Sequence, residues 1–216
     1  MTKQNSTLAY YEENAVAYAA RDFAGTFEEY RDLFVSRVQA RFQESLQLPN
    51  RKQTKPQVLE LGSGSGRDAQ AFLAHGFDVT LLDGSAELAE IAKKRTGLDV
   101  LVRDFEDLYF DAEFDGVWAA ASLLHVPSDK LPGVLKTIAR SLQDSGVFVA
   151  SFKEGNHDWV DGLGRYFCAM TESHLTDFIT NSGFELIAID KRKGQGSDGK
   201  PTVWLWVIAR KQIADI

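Results

Sequence analysis

The stretch Val58-Leu-Glu-Leu-Gly-Ser-Gly-Ser-Gly66 decides how the rest of this sequence is read. Five residues of buried-strand type, Gln57–Leu61, run straight into a glycine turn, and an amphipathic segment opens at Arg67. Glycine has no Cβ, so Gly62 and Gly64 are expected to take positive φ and let a ligand approach the backbone, while Gly66 lets the next helix start close to the sheet. A glycine turn alone also suits an ordinary strand-to-helix connection.

Three features downstream add to it. Asp83 closes the next apolar run, where a carboxylate can accept hydrogen bonds from both hydroxyls of a ribose. It also precedes a helix, so Asp83 or Ser85 could be its N-cap, with Ser85 the better candidate across Asp83-Gly84-Ser85. Asp104-Phe105 follows the third run and offers an acceptor for an exocyclic amine beside an aromatic face, or else a polar loop with a core phenylalanine. The fourth run, Phe114-Asp-Gly-Val-Trp-Ala-Ala-Ala-Ser-Leu-Leu-His125, ends in small residues, and Ala120 leaves room for a ligand over the strand end.

Outward from this core, Asp78–Leu82, Asp99–Val102, Phe114–Ala120 and Val147–Phe152 read as further strands. Arg67–His75, Ala86–Arg95 and Asp129–Leu142 read as the helices between them. Strand and helix in alternation imply an α/β fold, a Rossmann-like doubly wound, mostly parallel sheet. Before it, apolar residues from Leu8 to Leu46 recur at steps of three or four, which predicts two helices broken near Gly25. Leu48–Pro56 reads as a surface connection. After it come a helix near Glu172–Asn181, a strand Phe184–Asp190, a Gly/Lys-rich tip Lys191–Pro201 and a strand Thr202–Arg210, joined tightly enough to be antiparallel. The expected organisation is a single domain over 1–216, with an N-terminal helical lid (1–50) and a sheet core (57–210).

Composition narrows the function. The 216 residues are 44% hydrophobic, enough for one core. One cysteine, Cys168, and four scattered histidines give neither a disulfide nor a zinc pattern, so no metal is expected and a reducing, cytoplasmic setting suits the chain. No leader or membrane-spanning run is read. A net charge of -7 argues against bulk nucleic-acid binding and leaves a specific RNA acceptor open. The oligomeric state is not legible.

On these motifs, Glu60-Leu-Gly-Ser-Gly-Ser-Gly66, Asp83-Gly-Ser85, Asp104-Phe105, Phe114-Asp-Gly-Val117 and Leu142-Gln-Asp-Ser-Gly-Val147, the chain resembles the class I S-adenosylmethionine-dependent methyltransferases, in the small-molecule branch with N-terminal lid helices. The last motif departs from the family's Leu-x-Pro-Gly-Gly, since Asp144-Ser145 stands for Pro-Gly. The resemblance implies a seven-stranded sheet whose last strand inserts antiparallel between the fifth and sixth, and S-adenosylmethionine as cofactor. It implies that Gly62, Ser63, Gly64 and Gly66 flank its methionine and ribose portion. Asp83, with Gly84 and Ser85, would take the ribose, and Asp104 and Phe105 the adenine. Glu60 would support the methionine amino group, and Tyr11, Tyr18 and Arg21 would fold over the cofactor. Arg67 calls for a specific partner, the methionine carboxylate or a lid residue, or else faces solvent.

Methyl transfer from a sulfonium needs alignment more than a catalytic side chain, and orientation alone can supply about 7–11 kcal/mol. His125 is the candidate base, needed only if the acceptor must lose a proton, and it otherwise closes the loop before Pro127. Lys153 and Glu154 read as a solvated charged pair or as residues facing the acceptor. Trp159, Tyr166, Phe167 and Met170 read as core or as an acceptor pocket, which would suit a small, partly apolar molecule. The basic tip (Lys191, Arg192, Lys193, Lys200) reads as solvated or as a phosphate contact. Two competitors remain: a nicotinamide dehydrogenase, disfavoured because Arg67 stands where G-x-G-x-x-G needs glycine, and a non-catalytic module that binds the same cofactor. Asp83→Ala is expected to weaken cofactor binding and leave the fold intact.

Overall fold

The computed structural model describes residues 3–21, 27–47 and 53–213. Two helices, α1 (Lys3–Ala19) and α2 (Glu28–Ser45), precede an alternating core: β1 (Gln57–Leu61), α3 (Arg67–Ala74), β2 (Asp78–Asp83), α4 (Ala86–Thr96), β3 (Val100–Val102), β4 (Phe114–Ala119), α5 (Leu131–Ser141) and β5 (Leu142–Glu154). Three two-residue strands follow, β6 (Trp159–Val160), β7 (Tyr166–Phe167) and β8 (Ala169–Met170), then α6 (Glu172–Thr180), β9 (Phe184–Gln195) and β10 (Pro201–Lys211).

The sheet order is β3-β2-β1-β4-β5-β10-β9. The first five strands are mutually parallel, and β10 lies antiparallel between β5 and β9 as expected from the resemblance. Strand order reverses between β1 and β4, which opens a crevice at their carboxyl ends, the usual ligand site of such sheets. Past the end of β4, β8 takes its place along β5, pairing Ala169 with Lys153. The short strands β6 and β7 form a hairpin with Trp159 opposite Phe167. None of these three short strands is evident in the sequence.

Central strands read as continuous apolar runs because both faces are covered. Val58, Leu59 and Leu61 of β1 are fully buried, as are Val149, Ala150 and Phe152 of β5. Helix α2 buries Tyr30, Phe34, Val35, Val38 and Phe42 along one stripe. Phe34 packs against Phe72 and Trp118, and Tyr30 stacks on Trp206 at 4.2 Å between ring centroids. This helix is therefore a layer of the core, with only its first turn, Glu28 and Arg31, reaching the crevice, where α1 brings Tyr11 and Tyr18. The expected break near Gly25 and most of the Leu48–Pro56 connection lie outside the described residues.

Gly116 of β4 is what lets α2 sit so close. A Cβ there would lie 2.6 Å from Val38 Cγ2 and 2.7 Å from Phe34 Cζ, well inside van der Waals contact. Gly116→Ala is expected to cost about 1–3 kcal/mol through overpacking, read as a lower urea midpoint. An unchanged midpoint would mean that α2 is not seated on β4 in this way.

One boundary differs from the sequence reading. The expected tip Lys191–Pro201 is mostly ladder, since β9 and β10 stay paired out to Gln195 opposite Pro201 and only residues 196–200 turn. At the start of β5, Ser145 takes φ 60, the left-handed conformation that the family's glycine would adopt without strain.

Candidate active site

Two adjoining cavities occupy the crevice. The smaller, about 120 Å³, is lined by Asp83, Gly84, Ser85, Asp104, Phe105 and Ser122 among others. The larger, about 300 Å³, lies over Glu60, Gly62 to Ser65, Arg67 and Asp68 and extends to Lys153, Arg165, Phe167 and Trp204. Tyr11, Tyr18, Gly62, Gly64, Ala120, Ala121 and His125 border both. Sequence-predicted residues from Tyr11 to Phe167 therefore meet at one site.

The three glycines all have positive φ (72, 53 and 74 at Gly62, Gly64 and Gly66), but for different reasons. A Cβ on Gly62 would lie 2.4 Å from Ser122 Cβ. One on Gly66 would lie 3.2 Å from Ala92 Cα, so this glycine admits α4 rather than the sheet. Gly64 faces open space except for the Tyr18 ring at 3.9 Å. The turn is pinned at its start by the Gly62 and Ser63 amides, which donate to the Leu82 carbonyl (2.8 and 3.1 Å).

Asp83, 7% exposed, braces the same turn. Its Oδ2 accepts from the Gly64 amide at 2.7 Å and its Oδ1 from the Ser85 amide at 2.8 Å. Burial pushes its pKa up to about 6, against the pull of those two amides. Ser85 is the true N-cap of α4, accepting from the Leu88 amide. Above Gly84 sits Leu8 of α1, 3.3 Å from where a Cβ would be. Glu12 further ties α1 down by accepting from the Ala86 amide at 2.6 Å.

At the end of β1, Glu60 is 3% exposed and its Oε2 has no hydrogen-bond partner. Burial and the neighbouring Asp68 and Asp83 hold its pKa well above the ordinary carboxylate range. The hydroxyls of Ser63 and Ser122 are buried and unpartnered as well. Asp68, by contrast, is satisfied by Arg31 at 3.1 Å and by the Trp118 indole at 2.9 Å. Buried polar atoms rarely go without partners, so three of them around one glycine turn mark a place for a polar ligand.

His125 stands at the junction of the cavities. Its Nδ1 lies 2.6 Å from the Tyr166 carbonyl, which can only accept, so Nδ1 carries the proton. Nε2 then accepts from the Tyr11 hydroxyl at 2.9 Å. Burial, with Arg165 and Lys153 nearby, pushes the imidazole pKa down to about 4, so the ring is neutral at physiological pH. Burial, joined by Tyr18, raises the Tyr11 hydroxyl, which stays protonated. Tyr11 and Tyr18 meet edge to face at 5.2 Å and together form the partition between the cavities.

Arg21 lines neither cavity. Its guanidinium donates to the Ser197 carbonyl at 2.7 Å and to the Tyr10 hydroxyl at 3.2 Å, tying the end of α1 to the β9–β10 turn. Ser197 Oγ in turn bonds Arg165, whose guanidinium is paired with Asp161 at 2.7 Å. Arg67 has the lid partner that the sequence suggested, donating to the Arg21 carbonyl at 3.1 Å.

Lys153 and Glu154 are not a solvated pair. Glu154 bonds Lys191 at the surface, while Lys153 is 7% exposed, with its ammonium 3.9 Å from the Phe167 ring centre and 5.8 Å from those of Trp159 and Trp204. Phe167 faces the larger cavity with Trp159 stacked behind it, and Tyr166 and Met170 belong to the core. Of the basic residues assigned to the tip, Arg192 pairs with Glu29 and Lys200 with Asp198. Arg165, Trp204, Ser122 and Ala121, the last at φ 51, went unrecognised in the sequence. The signal for Ser122 was its place in the small-residue run after β4. Arg165 carried a fainter one, lying four residues after Asp161 in a glycine-bounded loop.

Among the described residues no group of three or more His, Cys, Asp or Glu could hold a metal ion. No described helix is long and apolar enough to cross a membrane.

Residues 58–146 match a family model described as a methyltransferase domain. An uncharacterized methyltransferase of Staphylococcus carnosus is 31% identical over 186 residues, spanning 78% of this chain and 86% of the relative. Among solved structures, a SAM-dependent methyltransferase of Methanosarcina mazei superimposes with a TM-score of 0.68 at 19% identity, covering 76% of this chain and 96% of that one. The 1,6-didemethyltoxoflavin-N1-methyltransferase of Burkholderia thailandensis, with 1,6-didemethyltoxoflavin and S-adenosylhomocysteine bound, gives 0.63 at 23% identity, covering 94% and 91%. A glycine turn at a topological switch point, with an acidic residue closing the next strand, defines a nucleotide-type cofactor site on a doubly wound sheet. The chain belongs to the class I S-adenosylmethionine-dependent methyltransferases.

Proposed function

We propose that this enzyme binds S-adenosylmethionine across both cavities and methylates a small molecule held at the Lys153 end of the larger one. The observation that carries the reading is the confluence of the two cavities at Tyr11, Tyr18 and His125, with the unpartnered Glu60 carboxyl oxygen on the floor. Asp104 and Phe105 would take the adenine and Asp83 the ribose. Gly62, Ser63, Gly64 and Ala120 would border the sulfur and methionine portion, with Glu60 as partner of the amino group, while Gly66, which lines neither cavity, seats α4 behind the turn. Gly84 and Ser85 would shape the ribose side, and Tyr11 and Tyr18 would cover the cofactor from above. Arg21 acts at one remove, by holding α1 against the β9–β10 turn.

The bound cofactor supplies a methyl group on a cationic sulfur, which a nucleophile takes by in-line displacement. The chain's own part is to align, to exclude water and to keep nearby groups in the right charge state. His125 is held neutral with Nε2 toward Tyr11, so the pair fixes the direction of the Tyr11 hydroxyl. For His125 to act as base it must first release that hydroxyl. A soft acceptor such as a thiolate needs no such step.

The Glu60 assignment has a measurable consequence. A carboxyl group whose pKa lies well above the ordinary range loses its proton when a cationic amino group is placed beside it. Binding of S-adenosylhomocysteine near neutral pH is therefore expected to release up to about one proton, seen as a binding enthalpy that varies with the buffer's ionisation heat. Glu60→Gln should abolish that variation. A wild-type enthalpy independent of buffer would remove Glu60 from the amino-group site.

A further inference from the structure

Lys153 is a buried cation without a carboxylate partner, and it faces the acceptor end of the larger cavity. Its place follows from β5, which carries it one residue past the apolar run, and from β8 and β10, which flank it through Ala169 and Trp204. The rings of Phe167, Trp159 and Trp204 surround the ammonium, and no acid among the described residues makes an ion pair with it. Asp198 is the acid that acts on it most strongly, and that carboxylate is already shared with Lys200 at 3.8 Å. Asp161 is committed to Arg165. Glu154, the next residue, is committed to Lys191.

Aromatic faces attract an ammonium, the more so when water is excluded, but they do not satisfy its three N–H donors. A buried charge is tolerated when it is paired, and among the described residues no carboxylate, Asp198 included, comes within ion-pair distance of this one. The cavity wall there combines the apolar Leu124, Phe167 and Trp204 with the polar Gln195 and Ser197, and Arg165 adds a second cation. Burial lowers the lysine pKa, which an arriving anion would reverse.

From this geometry we infer that the methyl acceptor is an organic anion, a carboxylate or phosphonate on an apolar or aromatic body, whose acidic group is held by Lys153. The anion is a handle for binding, because an ammonium hydrogen-bonded to the nucleophile itself would withdraw the electron pair that must attack carbon. The inference rests on the cofactor site proposed above and narrows the class of acceptor.

The test titrates protein saturated with S-adenosylhomocysteine, so that no transfer can occur, with benzoate, phenylphosphonate and the neutral isostere benzamide. Saturable binding of at least one anion is expected, at least about tenfold tighter than benzamide. Lys153→Met should lose that preference while keeping the wild-type affinity for S-adenosylhomocysteine, which also reports that the variant is folded. Lys153→Arg should keep most of it. If neither anion binds in preference to benzamide, or if Lys153→Met retains the preference, the anion site is overturned and the cofactor site stands. If S-adenosylhomocysteine itself fails to bind, both readings fall together.

Discussion

Asp83→Asn is expected to bind S-adenosylhomocysteine about 10- to 100-fold more weakly than the wild type while unfolding at the same or a slightly higher denaturant concentration. The affinity loss follows from replacing a charged acceptor with a neutral amide where two ribose hydroxyls would donate, at about 1.5–3 kcal/mol for a hydrogen bond to a charged group. The stability side follows from the carboxylate's own cost. A pKa raised from 3.8 to about 6 means that keeping Asp83 ionised in the folded protein at neutral pH costs about 3 kcal/mol. Its stabilising influence is complete below pH ~4 and is lost as pH rises through about 6, because between those values the folded state holds the proton that the unfolded state has released.

Asparagine removes that cost and can still accept from one of the two amides, leaving the other to face its NH₂ group at about 1–3 kcal/mol, so the terms nearly cancel. Alanine does worse. It strands both the Gly64 and Ser85 amides and loosens the turn, so the sequence-based expectation that Asp83→Ala leaves the fold untouched gives way to a local loss of structure. Affinity in the wild type should also fall more steeply than in the asparagine variant as pH drops through about 6, the slope left in the variant being that of the Glu60 proton. Parallel profiles for the two proteins would detach the Asp83 charge from binding.

The second large effect is at Gly62. Adding one methyl group there puts a Cβ at φ 72 and 2.4 Å from Ser122 Cβ. The left-handed backbone costs about 1–2 kcal/mol and the overlap about 1–3 kcal/mol, so Gly62→Ala should lose about 2–5 kcal/mol in urea unfolding and all measurable cofactor binding. The Ser122→Gly change in the same chain should recover the steric share and leave the backbone share. No recovery at all would mean that the two residues do not set each other's size.

These two effects also mark what the sequence could and could not say. β1 was legible to the residue, because a five-residue buried run ending in glycine admits few other conformations. The Ser85 cap followed from local geometry, a strand end and a helix start two residues apart. What was not legible depends on contacts between distant segments. Lys153 reads as a charge leaving a strand into water, and only the fold brings in the rings of Trp159, Phe167 and Trp204 that surround it. The neutral state of His125 depends on the Tyr166 carbonyl and on Tyr11, far away in the chain. The β9–β10 ladder extends through Lys191–Gln195, which are exposed and carry no apolar alternation, so backbone pairing alone makes them a strand. Arg21 was nominated for the cofactor, and its actual hold on Ser197 arises from a turn that closes over α1.

The most direct test of the central claim is a calorimetric titration of the purified protein with S-adenosylhomocysteine, with NAD as the control. One site saturated by S-adenosylhomocysteine, with no heat of binding from NAD, is the result expected of a glycine turn that serves an adenosyl sulfonium cofactor. Binding of NAD in its place would contradict the account and assign the crevice to a different chemistry.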